Sequence, residues 1–179
     1  MPFSRMIFAL LMTLMVGCTT VPKQADVDTG RLMIAGELIR AEYSNGPWWN
    51  YRFRVRNVTS GKSYAMRFIV KSNMTHMLSQ PLEPGQYELY DWDVTAKKYT
   101  TMVQDYDISG SFEVMPGAIT LYPGKITTTM TSDTQHFAMK ALEDNEIQPT
   151  LDKIEAKYPE LSLWKIYLLD HRWPIMNAE

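Results

Sequence analysis

The sequence predicts a mainly β protein, a single β-sandwich with a short helical C-terminal part. Tyr51, Phe53 and Val55 alternate with Arg52, Arg54 and Arg56, and Tyr64, Met66, Phe68 and Val70 resume the alternation after Ser60-Gly61. A period of two is that of a strand with one face buried. Pro-Gly recurs at 84–85, 116–117 and 123–124, where Pro presets φ for the second turn position and Gly accepts a positive φ at the third. Many Tyr and Trp residues, 10 and 5 of them, fit half-buried pleated surfaces.

The chain opens on a secretory pattern. Arg5 supplies a positive charge, Met6 to Val16 is an uncharged apolar run, and Gly17 is a small residue at a cut site. As a helix the run would be roughly 16 Å long, short of the ~30 Å bilayer core, so it does not span. Cys18, the sole cysteine, follows Gly17 directly. An ordinary signal with an inert cysteine is the bland alternative.

Leu14-Met15-Val16-Gly17-Cys18 resembles the lipobox of bacterial lipoproteins, with Met15 in the place usually filled by Leu. The resemblance implies cleavage before Cys18, a thioether-linked diacylglycerol and a third acyl chain, such as palmitate, on the new amino terminus. At about 0.8 kcal/mol per buried methylene, two or three chains anchor stably. Thr19, where an Asp would tend to retain the protein in the inner membrane, favours the cell outer membrane with the domain facing the periplasm, or alternatively the cell surface.

The organisation expected is a signal peptide over 1–17, a lipidated N-terminus and flexible tether over 18–30, a β-sandwich domain over 31–132, and a C-terminal helical or extended segment over 133–179 packed on it. Without Arg5 the mature chain carries 17 basic and 20 acidic residues, net −3, which argues against nucleic acid as a partner. With Cys18 acylated there is no disulfide, thiolate metal site or cysteine nucleophile, so packing alone must stabilise the domain.

Thr19 to Gly30, polar and containing Pro22, reads as a tether of roughly 40 Å when extended, or in part as an edge strand. Leu32, Ile34 and Leu38 mark a first strand, with Gly36 as a bulge or close approach. Asn45-Gly46-Pro47 is a loop signal, and Tyr51–Arg56 with Tyr64–Val70 forms a hairpin. Strand-like runs follow over Gln86–Val94, Lys98–Ile108, Ser111–Met115, Ala118–Tyr122 and Lys125–Met130, the last two separated by Pro123-Gly124. Regular short strands and turns are the sandwich pattern. Phe137–Asn145 and Thr150–Tyr158 read as short helices, with Asp152 in the first turn of the second and Pro159 ending it. Leu161–Leu169 alternates imperfectly and fits strand or helix, with strand favoured.

The segments Leu82–Leu89, Phe112–Gly117 and Leu121–Ile126, with a Tyr-Pro late in the chain, look like those of a set of uncharacterised bacterial envelope lipoproteins. That resemblance implies a transthyretin-like (prealbumin-like) or carboxypeptidase-regulatory-like β-sandwich and brings no catalytic residues with it.

Several residues invite a site. Asp105, Asp107 and Ser109 with Gly110 match the front half of a calcium loop, but position twelve is Pro116, so a solvated hairpin loop is favoured. His76, His136 and His171 lack paired spacing, and scattered surface or core histidines are favoured over zinc. Asp91 and Asp93 share a strand face, a geometry that suits acid–base work but is more often solvated. No Gly-x-Ser-x-Gly elbow occurs. Trp48 and Trp49 can stack on sugar rings or close the end of the sandwich. Arg52, Arg54 and Arg56, with Arg67 across the hairpin, form a basic strip able to meet phosphate or an acidic partner, although a surface salted by carboxylates is favoured.

The expectation is a non-enzymatic, lipid-anchored binding or accessory module, without cofactor, that meets the membrane through its lipid and another envelope protein. The alternative is a carbohydrate or peptidoglycan-fragment binder using Trp48 and Trp49.

Overall fold

A computed structural model of the chain describes residues 21–22, 26–40, 49–69, 75–96, 110–130 and 135–169. Among these it is mainly β, with two sheets and one α-helix. The elements are β1 (Arg31–Arg40), β2 (Trp49–Asn57), β3 (Ser63–Ile69), β4 (His76–Leu78), β5 (Gly85–Ala96), β6 (Gly110–Val114), β7 (Ala118–Met130), β8 (Gln135–Ala141), α1 (Asp144–Lys157), a 3-10 helix (Pro159–Leu163) and β9 (Lys165–Leu168).

The four-stranded sheet runs β3-β2-β5-β6, all antiparallel. Its β2–β3 hairpin is tied locally. Asn57 Oδ1 accepts the backbone N–H groups of Thr59 at 3.0 Å and Ser60 at 2.9 Å, an Asx-type turn. Gly61 follows at φ 68°, the left-handed region open to glycine at little cost. Between β2 and β5, Arg54 pairs with Asp91 but Val55 pairs with Leu89, so Tyr90 is an extra residue. This β-bulge lets Leu89 point into the core while Tyr90 and Asp91 both stay outside it.

The other sheet has five strands. The path is β4-β1-β7-β8, and β9 pairs with β7. β7 is its spine. One flank lies parallel to β1 throughout. The other takes β9 in parallel over Ala118–Leu121 and β8 antiparallel over Gly124–Met130. Met33 pairs with Leu121 but Ala35 pairs with Lys125, so β7 inserts two extra residues around Tyr122-Pro123-Gly124. Pro123-Gly124 is therefore a bulge inside one long strand, not a turn between two. A bulge accepts proline because the residue that lacks an N–H sits where the ladder is already interrupted. Pro116-Gly117 is a true turn, with Gly117 at φ 65°, and it carries the chain from one sheet to the other.

Two clusters hold these layers. Leu32 and Ile34 of β1 and Tyr122 and Ile126 of β7 pack with Phe53, Val55, Met66, Tyr87, Leu89, Phe112 and Val114 of the four-stranded sheet. Met33, Leu78, Ile119 and Leu121, on the opposite face of the five-stranded sheet, pack with Ile154, Leu161 and Trp164. Neighbouring residues of β1 thus serve different cores, because strand side chains alternate.

The C-terminal expectations need correcting. Phe137–Asn145 is not a helix: β8 runs through Ala141 and α1 begins only at Asp144. Thr150–Tyr158 is the second half of this longer helix, whose first turn holds Asp144 and Glu146 rather than Asp152. Glu146 Oε2 accepts the Glu143 backbone N–H at 3.2 Å, which satisfies a donor at the helix start. Pro149 lies inside α1 on its exposed side, where its missing N–H costs one backbone bond. Leu161–Leu169 is divided between the 3-10 helix and β9.

The proposed tether is also corrected in part. Val21 is buried in the second cluster. The Trp164 indole Nε1 donates to the Pro22 carbonyl at 2.8 Å, and Gly30 bridges Leu82. Apolar burial and an indole in search of an acceptor fix what polarity alone reads as free chain.

Candidate functional site

The arginine row is the sequence-derived candidate that the fold describes most fully. Phe53 and Val55 are buried, so the alternating Arg52, Arg54 and Arg56 lie on the outer face of the four-stranded sheet. Cross-strand register sets a carboxylate residue on β5 against each: Asp93 opposite Arg52, Asp91 opposite Arg54 and Glu88 opposite Arg56. On the far side Arg67 is opposite Arg52. Arg54 forms an ion pair with Asp91 and Arg56 with Glu88. The Arg56 guanidinium also lies 5.3 Å from the centroid of the Tyr90 ring, within cation–π range. The Tyr90 bulge brings these groups together by turning two successive residues outward.

The Arg54–Asp91 pair is part-buried and the Arg56–Glu88 pair is exposed. Exposed pairs of this kind contribute at most about 1 kcal/mol each, and their partners compete with any phosphate for the guanidinium groups. Asp91, considered above for acid–base work, is engaged by Arg54. Sequence reading found the arginines and Asp91 but did not name Glu88 as the partner of Arg56. The available signal was Glu88 itself, two residues from Tyr90 in a strand of matching length.

A second polar cluster, not anticipated, lies at the hairpin end of the same sheet. The Lys62 ammonium donates to Glu83 Oε1 at 2.5 Å and sits 5.3 Å from the Tyr64 ring centroid. Lys62 holds the Glu83 carboxyl below the usual carboxylate value, chiefly through that hydrogen bond. Tyr87 donates from its hydroxyl to the Glu83 carbonyl at 2.8 Å, and its ring stacks on Phe112 at 5.4 Å. Burial pushes the Tyr87 hydroxyl up to about 12. The exposed Lys62–Glu83 pair joins the hairpin to the segment just before β5, and the Tyr87 hydroxyl bond closes locally on that segment.

His76 is buried in β4, edge-on to the Tyr158 ring at 4.9 Å, with Nδ1 3.2 Å from Thr75 Oγ1. It joins the edge of the five-stranded sheet to the end of α1, as a core histidine does. Among the described residues no three of His, Cys, Asp and Glu come together as a metal site.

Cys18, Trp48, Asp105, Asp107, Ser109 and His171 lie outside the described residues. His136 stands in β8 opposite Thr129. Trp49 opens β2 opposite Ala96. No helix among the described residues is long and apolar enough to cross a membrane.

No family model matches the chain, and no curated protein does. Among solved structures, a leucine-rich repeat protein from Bacteroides thetaiotaomicron is 14% identical over 59% of this chain and 14% of its own, at a TM-score of 0.33. The human-specific toxin intermedilysin is 13% identical over 64% of this chain and 24% of its own, at 0.23. The chain thus spans a minor part of either protein, and likenesses so slight carry no argument.

Proposed function

We propose that the chain is a lipid-anchored envelope protein, held at the outer membrane through Cys18, whose β-sandwich serves in the periplasm as a non-enzymatic binding or accessory module. The carrying observation is the motif itself: an apolar run too short to span, then Gly17, then the only cysteine. Thr19 after the cysteine supports the outer membrane. The sandwich reading is supported by a buried cluster that draws Leu32, Ile34, Tyr122 and Ile126 from one sheet and Phe53, Val55, Tyr87 and Phe112 from the other.

The experiment is metabolic labelling with palmitate in a bacterial host, followed by membrane fractionation. Label in the wild-type protein at the outer membrane, absent from Cys18→Ser, is the expected result. Label that persists in Cys18→Ser, or never enters the wild type, overturns the anchor. Mild cross-linking in intact envelopes then tests the accessory role, which predicts a stoichiometric protein neighbour.

A further inference from the structure

Exposed large apolar side chains are unevenly placed on the described surface. The three most exposed are Val27 at 76%, Leu163 at 64% and Val58 at 59%. All three map to one end of the molecule. Val27 lies beside Gly117, whose added Cβ would fall 3.8 Å from the Val27 Cα. Gly117 precedes Ala118, which pairs with Lys165 at the start of β9, two residues from Leu163. Val58 is held at the end of β2 by its N–H bond to the Gln86 carbonyl at 2.8 Å. Next to Gln86, Gly85 pairs with Val114, the last residue of β6 before the Pro116-Gly117 turn.

The same end receives the incoming chain. Val21 is buried with Trp164, and Trp164 bonds to Pro22. Val21 lies three residues after Cys18. Fully extended, three residues reach about 11 Å, comparable with the ~5–8 Å head-group layer on one side of a bilayer. A lipidated Cys18 therefore cannot hold this end far from the membrane.

The geometry points to a membrane-facing end: Val27, Leu163 and Val58 rest on the phospholipid surface that holds the Cys18 lipid. This rests on the reading of Cys18 as the lipidated residue. Apolar side chains are stabilised at the head-group boundary by the same burial that binds interfacial helices. Asp26 and Asp28 flank Val27, and Lys165 follows Trp164. The end is thus mixed in charge, and contact depends on apolar burial rather than on anionic lipid.

The test uses the mature, lipidated protein in protein-free phosphatidylcholine vesicles. Acylated Cys18 offers no thiol, so Val27→Cys, Val58→Cys and Leu163→Cys each place a single fluorophore. Lys153→Cys on α1 and Arg67→Cys on the outer sheet face are controls. Iodide in the aqueous phase should quench the three end positions several-fold less than the controls, and a lipid-borne quencher should reverse the order. Equal quenching at all five positions of acylated protein overturns the membrane-facing end alone. Absence of the acyl chain overturns the anchor and this proposal with it. Protection that arises only when other envelope proteins are added assigns the end to a protein partner and overturns the lipid contact.

Discussion

The indole nitrogen of Trp164 donates to the carbonyl of Pro22 at 2.8 Å across 142 residues of sequence. The bond joins the entry of the chain to the turn between the 3-10 helix and β9, and Val21 packs behind it. Trp164→Phe keeps most of the packing but removes the donor, at a cost of about 1 kcal/mol. The expected outcome is a modest fall in the urea midpoint with faster proteolysis before Asp26. Trp164→Ala removes the ring as well and should cost about 3–5 kcal/mol.

Gly30 and Gly61 should respond differently to alanine. A Cβ on Gly30 would fall 2.2 Å from the Met115 carbonyl oxygen and 2.6 Å from Val114 Cγ1, so backbone must move, at about 1–3 kcal/mol or more. Gly61, at φ 68°, has open space around it. Its alanine meets only the left-handed backbone cost of about 1–2 kcal/mol, and Gly61→Asn should restore much of that because asparagine tolerates this region. Denaturant midpoints of the three variants check the order.

Acid should loosen the start of α1. The Lys125 ammonium donates to Glu146 Oε1 at 3.0 Å, and the Glu143 N–H donates to the other oxygen. Lys125 first, then that backbone bond, holds the Glu146 carboxyl below its ordinary 4.5. A folded-state value lowered in this way contributes stability that is present above 4.5 and lost as pH falls through the folded value. Lys125 is 21% and Glu146 39% exposed, and solvent screening on the Glu146 side holds the contribution to about 1 kcal/mol. Glu146→Gln should flatten this part of the stability profile below pH 5, read by helical circular dichroism during urea titration.

Alkali acts through two buried phenols. Burial raises Tyr87 to about 12 and Tyr122 further still. A raised folded-state value contributes stability that is complete below the unfolded value near 10 and is lost as pH rises through the folded one. Both phenols should therefore stay silent in a tyrosinate absorbance titration until the protein unfolds. Tyr122→Phe should reduce the loss of stability above pH 10. Titration of every tyrosine near its ordinary value in the folded protein would contradict this.

Local chemistry made much of the fold legible. Alternation placed the β2–β3 hairpin, and Ser60-Gly61 placed its turn. The Gln86–Val94 run reads as one regular strand, and only its register against β2 shows the bulge at Tyr90. Pro123-Gly124 misled because the same dipeptide serves a turn and a bulge. Only β1, β8 and β9 lying along β7 distinguish the two. Phe137–Leu142 contains helix-favouring Ala, Met, Lys and Leu, yet pairing with the Thr-rich half of β7 outweighs that propensity.

For the arginine row, sequence set the spacing and hence the shared face, while cross-strand register decided which carboxylates oppose it. What the sequence determined by itself was local: strand periodicity, turn chemistry and the Gly17-Cys18 motif, all set by covalent geometry and side-chain type within a few residues. What the tertiary structure decided was non-local. Val21 and Pro22 dock on Trp164, and Val27, Val58 and Leu163 gather at one end, because burial and pairing join residues that no short window of sequence contains.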